Sequence, residues 1–372
     1  MIRLTVPDIH PSDVEAVQGV LTSGFLVQGR KVRDFEAALG RYLGVEGVVA
    51  VGSGTAALHL ALLAAGIGAG DEVLVSDYTF PATANAVIHA GAVPVLVDIE
   101  PDSLNMDPEA ARECLTARTK AMVLVHAFGR PANLAAFRDL ADASGLVLVE
   151  DAACALGSEF GSDKCGTVGK AGCFSFHPRK NITTGEGGAI VSGDPAVCEV
   201  ARSLRSHGAR SSGARLYFEA AGFNYRMTEI GAVLGLGQLL RLEDIVERKG
   251  RWVAEYRTRL EDMDGVVLLP AVERGRECHQ SLIVILDDAV DRNAVIGRMR
   301  DLGVETTIGT YALHREPLFQ TDYGYRTGQL PQSDRAFRHT LTLPLYPSMT
   351  LDEVETVCRA LADAIVFCRR GA

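Results

Sequence analysis

Between residues 46 and 150 short unbroken apolar runs alternate with longer segments whose apolar positions recur every three or four residues. The runs are Val-Val-Ala-Val at 48–51, Val-Pro-Val-Leu-Val at 93–97, Met-Val-Leu-Val at 122–125 and Leu-Val-Leu-Val at 146–149. Strands with one wet face alternate polar and apolar; these do not, so both of their faces are buried. The pattern predicts strands at 47–51, 72–76, 93–98, 121–127 and 145–150, separated by helices at 54–65, 81–90, 107–116 and 131–144. The expected class is α/β, with a mainly parallel sheet flanked by helices. Ligands of such sheets bind beyond the carboxyl ends of the strands, so the loops after residues 51, 76, 98, 127 and 150 should face one site.

Two helices precede this region. One spans 11–23, started by Pro11-Ser12-Asp13 and stopped by Gly24, and the other spans about 31–43. After it, an apolar run (Cys173, Phe174, Phe176) is cut by Pro178, passes through a Gly-rich turn and resumes as a strand at 189–192. A helix at 195–206, a polar stretch at 207–215 and one long helical pattern at 228–262 follow. The remainder predicts strands near 265–269 and 281–286, a helix at 291–302, a strand at 304–307, and a last helix at 350–369 capped by Thr350 with Glu353. Residues 308–348 are rich in Gly, Pro and Tyr. We expect an N-terminal arm and large domain over 1–245 and a smaller α+β domain over 246–372.

Composition narrows the function classes. Lys+Arg 37 against Asp+Glu 47 leaves a charge of -10, and no basic run carries interleaved aromatics, so nucleic acid is not an expected partner. Eight cysteines form no C-x-x-C pair, which reads as free thiols in a reducing compartment and no metal site. No stretch approaches the ~20 apolar residues needed to span a bilayer, and the expectation is a soluble, cytoplasmic protein.

Three features carry candidate chemistry. Gly52-Ser53-Gly54-Thr55 joins a buried strand to a helix, whose first N–H groups favour a phosphate; the ordinary alternative is a packing turn. Asp151 ends the run 146–150, where it either caps the next segment or places a carboxylate at the ligand edge, as the ring nitrogen of pyridoxal phosphate requires. Lys180 sits in the Gly-rich turn, either as a surface charge or as a pocket amine able to act as a Schiff-base nucleophile. In this order, on one side of one sheet, the three together are more specific than any alone.

The segments Ser53-Gly54-Thr55-Ala56-Ala57-Leu58, Gly70-Asp71-Glu72-Val73, Glu150-Asp151-Ala152-Ala153, Phe174-Ser175-Phe176-His177-Pro178-Arg179-Lys180-Asn181 with Thr183-Thr184-Gly185-Glu186-Gly187-Gly188, and Phe223 to Glu229 resemble the DegT/StrS family of pyridoxal-phosphate-dependent nucleotide-sugar aminotransferases. The resemblance runs from about residue 10 to the end. It implies the pyridoxal-phosphate-dependent transferase fold type I, that of aspartate aminotransferase. It also implies a homodimer with shared active sites, and glutamate and a nucleotide sugar as substrates.

By the same resemblance Lys180 is the Schiff-base lysine and proton shuttle, and Asp151 the partner of the ring nitrogen. Gly54, Thr55 and Ala56 bind phosphate with Ser175 and with Asn224 of the other subunit, and Phe80 stacks on the ring. His314 lies near the substrate, and His177, Arg179, Arg205, His207 and Arg226 are candidates for substrate contacts, arginine pairing bidentately with phosphate. Cys154 departs from the pattern, standing where the family carries Gln or His against the cofactor's phenolic oxygen, and a thiol is a weaker donor. Gly29-Arg30 replaces the Gly-Pro common in the arm. The Asn-Ile-Thr-Thr-Gly-Glu-Gly-Gly run resembles members that aminate C4 of a 4-keto-6-deoxy sugar. The alternatives are a sugar dehydratase, whose members carry histidine at the Lys180 position, and a non-catalytic regulatory member. Lys180, Asp151 and the phosphate turn are all present here, which favours the aminotransferase.

Overall fold

The computed structural model describes residues 1–212 and 215–369 of the chain. Its central sheet has seven strands, in the spatial order Gly47–Val51, Gly188–Ser192, Ala171–Ser175, Val147–Asp151, Thr119–Val125, Glu72–Ser76 and Val93–Val97. Only Gly188–Ser192 runs antiparallel to its two neighbours. The other pairs are parallel; helices cross over from Glu72–Ser76 to Val93–Val97 and from Thr119–Val125 to Val147–Asp151, while a segment containing the short hairpin Glu159–Phe160 and Asp163–Lys164 leads from Val147–Asp151 to Ala171–Ser175. The exception follows from the turn that carries Lys180. That turn leads from Ser175 back to Gly188 without a crossover, so the two strands it joins are antiparallel and the turn lies at the carboxyl edge of the sheet.

Residue alternation within the strands divides two cores. Val48, Ala50, Leu74, Met122 and Leu124 pack on one face with Phe35, Leu39, Phe137, Phe174 and Phe176. Val49, Val51, Val73, Val75 and Val123 pack on the other with Leu58, Leu60, Val87 and Val197. Each Val, Leu, Met or Phe among these contributes roughly 1.5–3 kcal/mol when fully buried, so both faces of the sheet are held by packing.

A second sheet is antiparallel throughout, in the order Val266–Leu268, Leu282–Leu286, Thr340–Leu343, Thr307–Ile308. Helices Leu242–Leu260, Arg292–Asp301 and Leu351–Phe367 enclose it in a separate core containing Tyr256, Val284, Val295 and Leu361.

Several elements differ from the sequence expectation. The single helix over 228–262 is two, Glu229–Leu239 and Leu242–Leu260. Leu240 at the break is 81% exposed, while Arg241 turns inward to bond Asp13 at 2.7 Å and Asp8 at 3.4 Å. Those carboxylates come from the N-terminal arm, and nothing in 228–262 itself announces them. Helix Pro11–Ser23 is capped by His10, whose N–H donates to Asp13 Oδ2 at 2.9 Å. The expected helices at 107–116 and 131–144 are shorter, Pro108–Glu113 and Leu134–Ser144, and the strand at 304–307 is Thr307–Ile308. Residues 308–348 contain helices Pro317–Tyr323 and Pro331–His339 and the strand Thr340–Leu343. Their prolines read as loop signals but occupy first helical turns, where a missing N–H costs nothing. Within the polar stretch 207–215, Ala209–Ser212 pairs with Arg215–Phe218, and Gly213 and Ala214 lie outside the described residues.

Candidate active site

At the carboxyl edge of the central sheet lies a cavity of about 680 Å³ lined by Gly54, Thr55, Phe80, Asp151, Cys154, Ser175, His177, Arg179 and Lys180, among others. One wall is the start of helix Gly54–Ala64. Ser53 is its N-cap, and Ser53 Oγ accepts the Ala56 N–H at 3.1 Å. Ala56 is buried, and in this structure its N–H is engaged by Ser53. Gly54 and Thr55 precede the first intrahelical bonds, and their N–H groups remain for a ligand. Two close approaches require glycine. A Cβ on Gly54 would stand 2.8 Å from Ser175 Cβ, and one on Gly188 would stand 2.4 Å from the Ser53 carbonyl oxygen.

Asp151 forms the floor. It is 6% exposed; Oδ2 accepts from Thr83 Oγ1 at 2.8 Å and Oδ1 from the Ala153 N–H at 3.2 Å. Thr83, on helix Ala82–His89, also contacts Thr79 Oγ1 at 3.1 Å. Thr83 escaped the sequence reading, where its four-residue spacing from Thr79 was the only trace. The preceding Glu150 faces away from the cavity. It accepts N–H groups of Gly166, Val168 and Gly169 at 2.7 Å each and pairs with His126 Nε2 at 2.9 Å. Burial raises its carboxyl, but His126 and the backbone donors hold it below the usual range. His126 Nδ1 accepts from the Ala132 N–H at 3.0 Å, leaving Nε2–H to donate to Glu150.

Lys180 hangs over this floor on a turn closed by its own N–H to the His177 carbonyl (2.8 Å) and by bonds joining Phe176 to Gly187 and Thr184 (2.9 Å each). Lys180 Nζ is 3.0 Å from Cys154 Sγ. His177 Nδ1 accepts from the Arg179 N–H at 3.2 Å. Burial lowers the His177 imidazole; Glu186 opposes this, while Lys180 and Arg179 reinforce it. Phe80 is 63% exposed with its ring edge-on to Tyr311, centroids 6.1 Å apart, so it is a cavity wall and not a core residue.

Other expected contacts lie elsewhere. His314 is completely buried between Asp77 (2.7 Å) and Asp334 (3.5 Å) and does not line the cavity. Its surroundings explain this: Nδ1 bonds Asp77, and Nε2 faces Asp334 without a hydrogen bond, so carboxylates from other elements surround the ring that the sequence alone left free for substrate. Arg205 is buried against Glu36 and the Ala50 carbonyl, which removes it from the diphosphate candidates. Arg226 pairs as an isolated bridge with Val51, and Asn224 is exposed and bridges Ser206; neither lines the cavity of its own chain, nor does His207.

The model of the DegT/DnrJ/EryC1/StrS aminotransferase family matches residues 7–362. The chain belongs to this family. It is 36% identical over 374 residues to the spore coat polysaccharide biosynthesis protein SpsC of Bacillus subtilis, covering 97% of this chain and 96% of that protein. The aminotransferase TlmJ of Streptoalloteichus hindustanus superposes with a TM-score of 0.92 at 34% identity, covering 99% of each chain. The PLP form of Spr1654 from Streptococcus pneumoniae, described as a sugar aminotransferase, superposes with a TM-score of 0.92 at 26% identity, covering 97% of each chain. DegT/DnrJ/EryC1/StrS aminotransferases depend on pyridoxal phosphate. The donor set here fits that group: free N–H groups at a helix start for phosphate, an aromatic wall, a buried carboxylate and an amine, all on one cavity.

Proposed function

We propose that this aminotransferase moves an amino group from glutamate to the keto carbon of a nucleotide sugar, a 4-keto-6-deoxy sugar in the first instance, for surface-polysaccharide or glycoside biosynthesis. The observation that carries the reading is the convergence of Lys180, Asp151, Phe80 and the Gly54–Thr55 helix start on one cavity. Gly54, Thr55 and Ser175 would hold the phosphate, Phe80 the ring face and Asp151 the ring nitrogen. When bound, pyridoxal phosphate supplies an electron sink for the charge left on a carbon that loses its proton.

Lys180, which lines the cavity, is the group whose Nζ would remove a proton from the donor and return it to the acceptor. The Asp151 carboxylate, held by Thr83 and the Ala153 N–H, would stabilise positive charge on the ring nitrogen. Cys154 Sγ lies 3.0 Å from Lys180 Nζ, at the position where the family resemblance expects Gln or His against the cofactor's phenolic oxygen.

We further infer a homodimer in which Asn224 serves the partner's site. Support comes from the exposure of Asn224 and of the apolar Phe25, Leu216 and Phe218 around the arm and the hairpin. The separate core of the second sheet supports a division near residue 245. No helix among the described residues is long and apolar enough to cross a membrane.

The test is a purified protein given pyridoxal phosphate, glutamate and a panel of 3-keto and 4-keto nucleotide sugars. The reading expects 2-oxoglutarate released in equal amount to an amino nucleotide sugar. Turnover of simple 2-oxo acids with no amination of any keto sugar would overturn the substrate class.

A further inference from the structure

Helix Leu242–Leu260 turns one stripe inward: Leu242, Ile245, Val246, Lys249, Val253, Tyr256 and Leu260. Lysine is out of place in such a row, because burying an ammonium without partners costs several kcal/mol. Lys249 is 3% exposed. Its Nζ donates to Asn181 Oδ1 at 2.7 Å and to the Gln280 carbonyl at 3.0 Å. Burial pushes its amine down to about 8 against the opposing influence of Cys278, Cys154 and Glu277.

Its partners flank Lys180. Asn181 follows Lys180 in the chain, and Asn181 Nδ2 donates to the carbonyls of Cys278 (3.1 Å) and Leu156 (3.4 Å). Arg179 precedes Lys180, and its carbonyl accepts from Gln280 Nε2 at 2.8 Å. The backbone on each side of Lys180 is therefore tied, through Asn181 and Gln280, to one buried ammonium on a helix whose stripe runs from the central sheet's core (Leu242, Ile245, Val246) into that of the second sheet (Val253, Tyr256, Leu260). The third tied segment leads from Cys154, the residue in contact with Lys180 Nζ. Ordinary packing would fill this position with Leu or Met at lower cost, and would leave Asn181 Oδ1 and the Gln280 carbonyl without this donor.

We propose that Lys249 is a positioning residue: its ammonium clamps Asn181 and the 278–281 segment so that the Lys180 turn presents its amine to the cofactor at a fixed angle. This inference rests on Lys180 being the attachment point of pyridoxal phosphate. Displacement of a reacting amine by about 1 Å is worth on the order of a hundredfold in rate, so loosening the clamp acts on Lys180 without touching it.

The experiment follows attachment of pyridoxal phosphate to cofactor-stripped protein, trapped with borohydride at set times and mapped by peptide mass, together with the visible circular dichroism of the loaded protein. Lys249→Met, which fills the same volume without a donor, should slow labelling of Lys180 by roughly tenfold or more and weaken the dichroic band. Lys249→Arg should recover part of both. Gln280→Ala releases the Arg179 carbonyl from a partly exposed side chain and should give a smaller loss in the same direction without lowering the melting temperature. Parent-like labelling and dichroism in Lys249→Met overturns the inference. If that variant does not fold, parent-like values in Gln280→Ala overturn it instead. A label mapping away from Lys180 in the parent protein overturns the attachment assignment itself, which the variants leave untouched.

Discussion

Thr83 Oγ1 donates a 2.8 Å hydrogen bond to Asp151 Oδ2, joining the first turn of helix Ala82–His89 to the end of the strand Val147–Asp151. Hydrogen bonds to a charged group are worth about 1.5–3 kcal/mol, and this one orients the carboxylate.

Thr83→Val keeps the shape and deletes the donor. We expect kcat/KM to fall by about tenfold, with Thr83→Ser restoring most of it. Asp151→Asn, which removes the charge itself, should cost orders of magnitude more. Steady-state kinetics of the three variants checks the ranking, and a Thr83→Val protein as impaired as Asp151→Asn would contradict it.

Lys249 sets a stability signature with a definite sign. Its amine keeps its proton up to about pH 8 in the folded chain and up to about 10.5 in the unfolded one. Between those values the unfolded chain holds the extra proton, so stability rises with pH through that window, and the full penalty is present below about 8. The difference corresponds to about 3 kcal/mol. Chemical denaturation at pH 7.5 and pH 10 should show Lys249→Met lacking this part of the parent's rise. Equal slopes in the two proteins would contradict the buried, charge-disfavouring environment.

How far these features were legible in the sequence depended on whether their causes were local. The parallel strands declared themselves because burial on both faces leaves unbroken apolar runs such as Leu146 to Val149. The Lys180 turn declared itself through Pro178 and the glycines around it. The break at Leu240–Arg241 did not, since both residues fit a helical period and the carboxylates that pull Arg241 inward are Asp8 and Asp13. His314 was readable as a titratable loop residue, but only the fold sets Asp77 and Asp334 against it. Ser53 was open to local reading, because serine before an apolar helix is a favoured N-cap that engages the N–H of Ala56. Lys249 left a trace as the one lysine in an apolar stripe, and its partners became visible only in three dimensions.

Assembly is tested by mixing two inactive proteins, Lys180→Ala and Asn224→Asp, the second placing a negative charge where the partner's phosphate would lie. If Asn224 serves the partner's site, subunit exchange gives heterodimers in which one site carries both defects and the other neither. Activity should then partly return. Continued inactivity after exchange is demonstrated by native mass spectrometry would contradict sharing through Asn224.

The central claim is that Lys180 and Asp151 in this cavity perform amino transfer, and the most direct measurement is the half-reaction with glutamate alone. Protein loaded with pyridoxal phosphate and mixed with glutamate, without acceptor, should lose its visible absorbance band and release an equimolar amount of 2-oxoglutarate. Lys180→Ala, loaded with the same cofactor, should release none on that timescale. A visible band that persists in the parent with no 2-oxoglutarate formed, or release by Lys180→Ala at the parent's rate, would contradict the account.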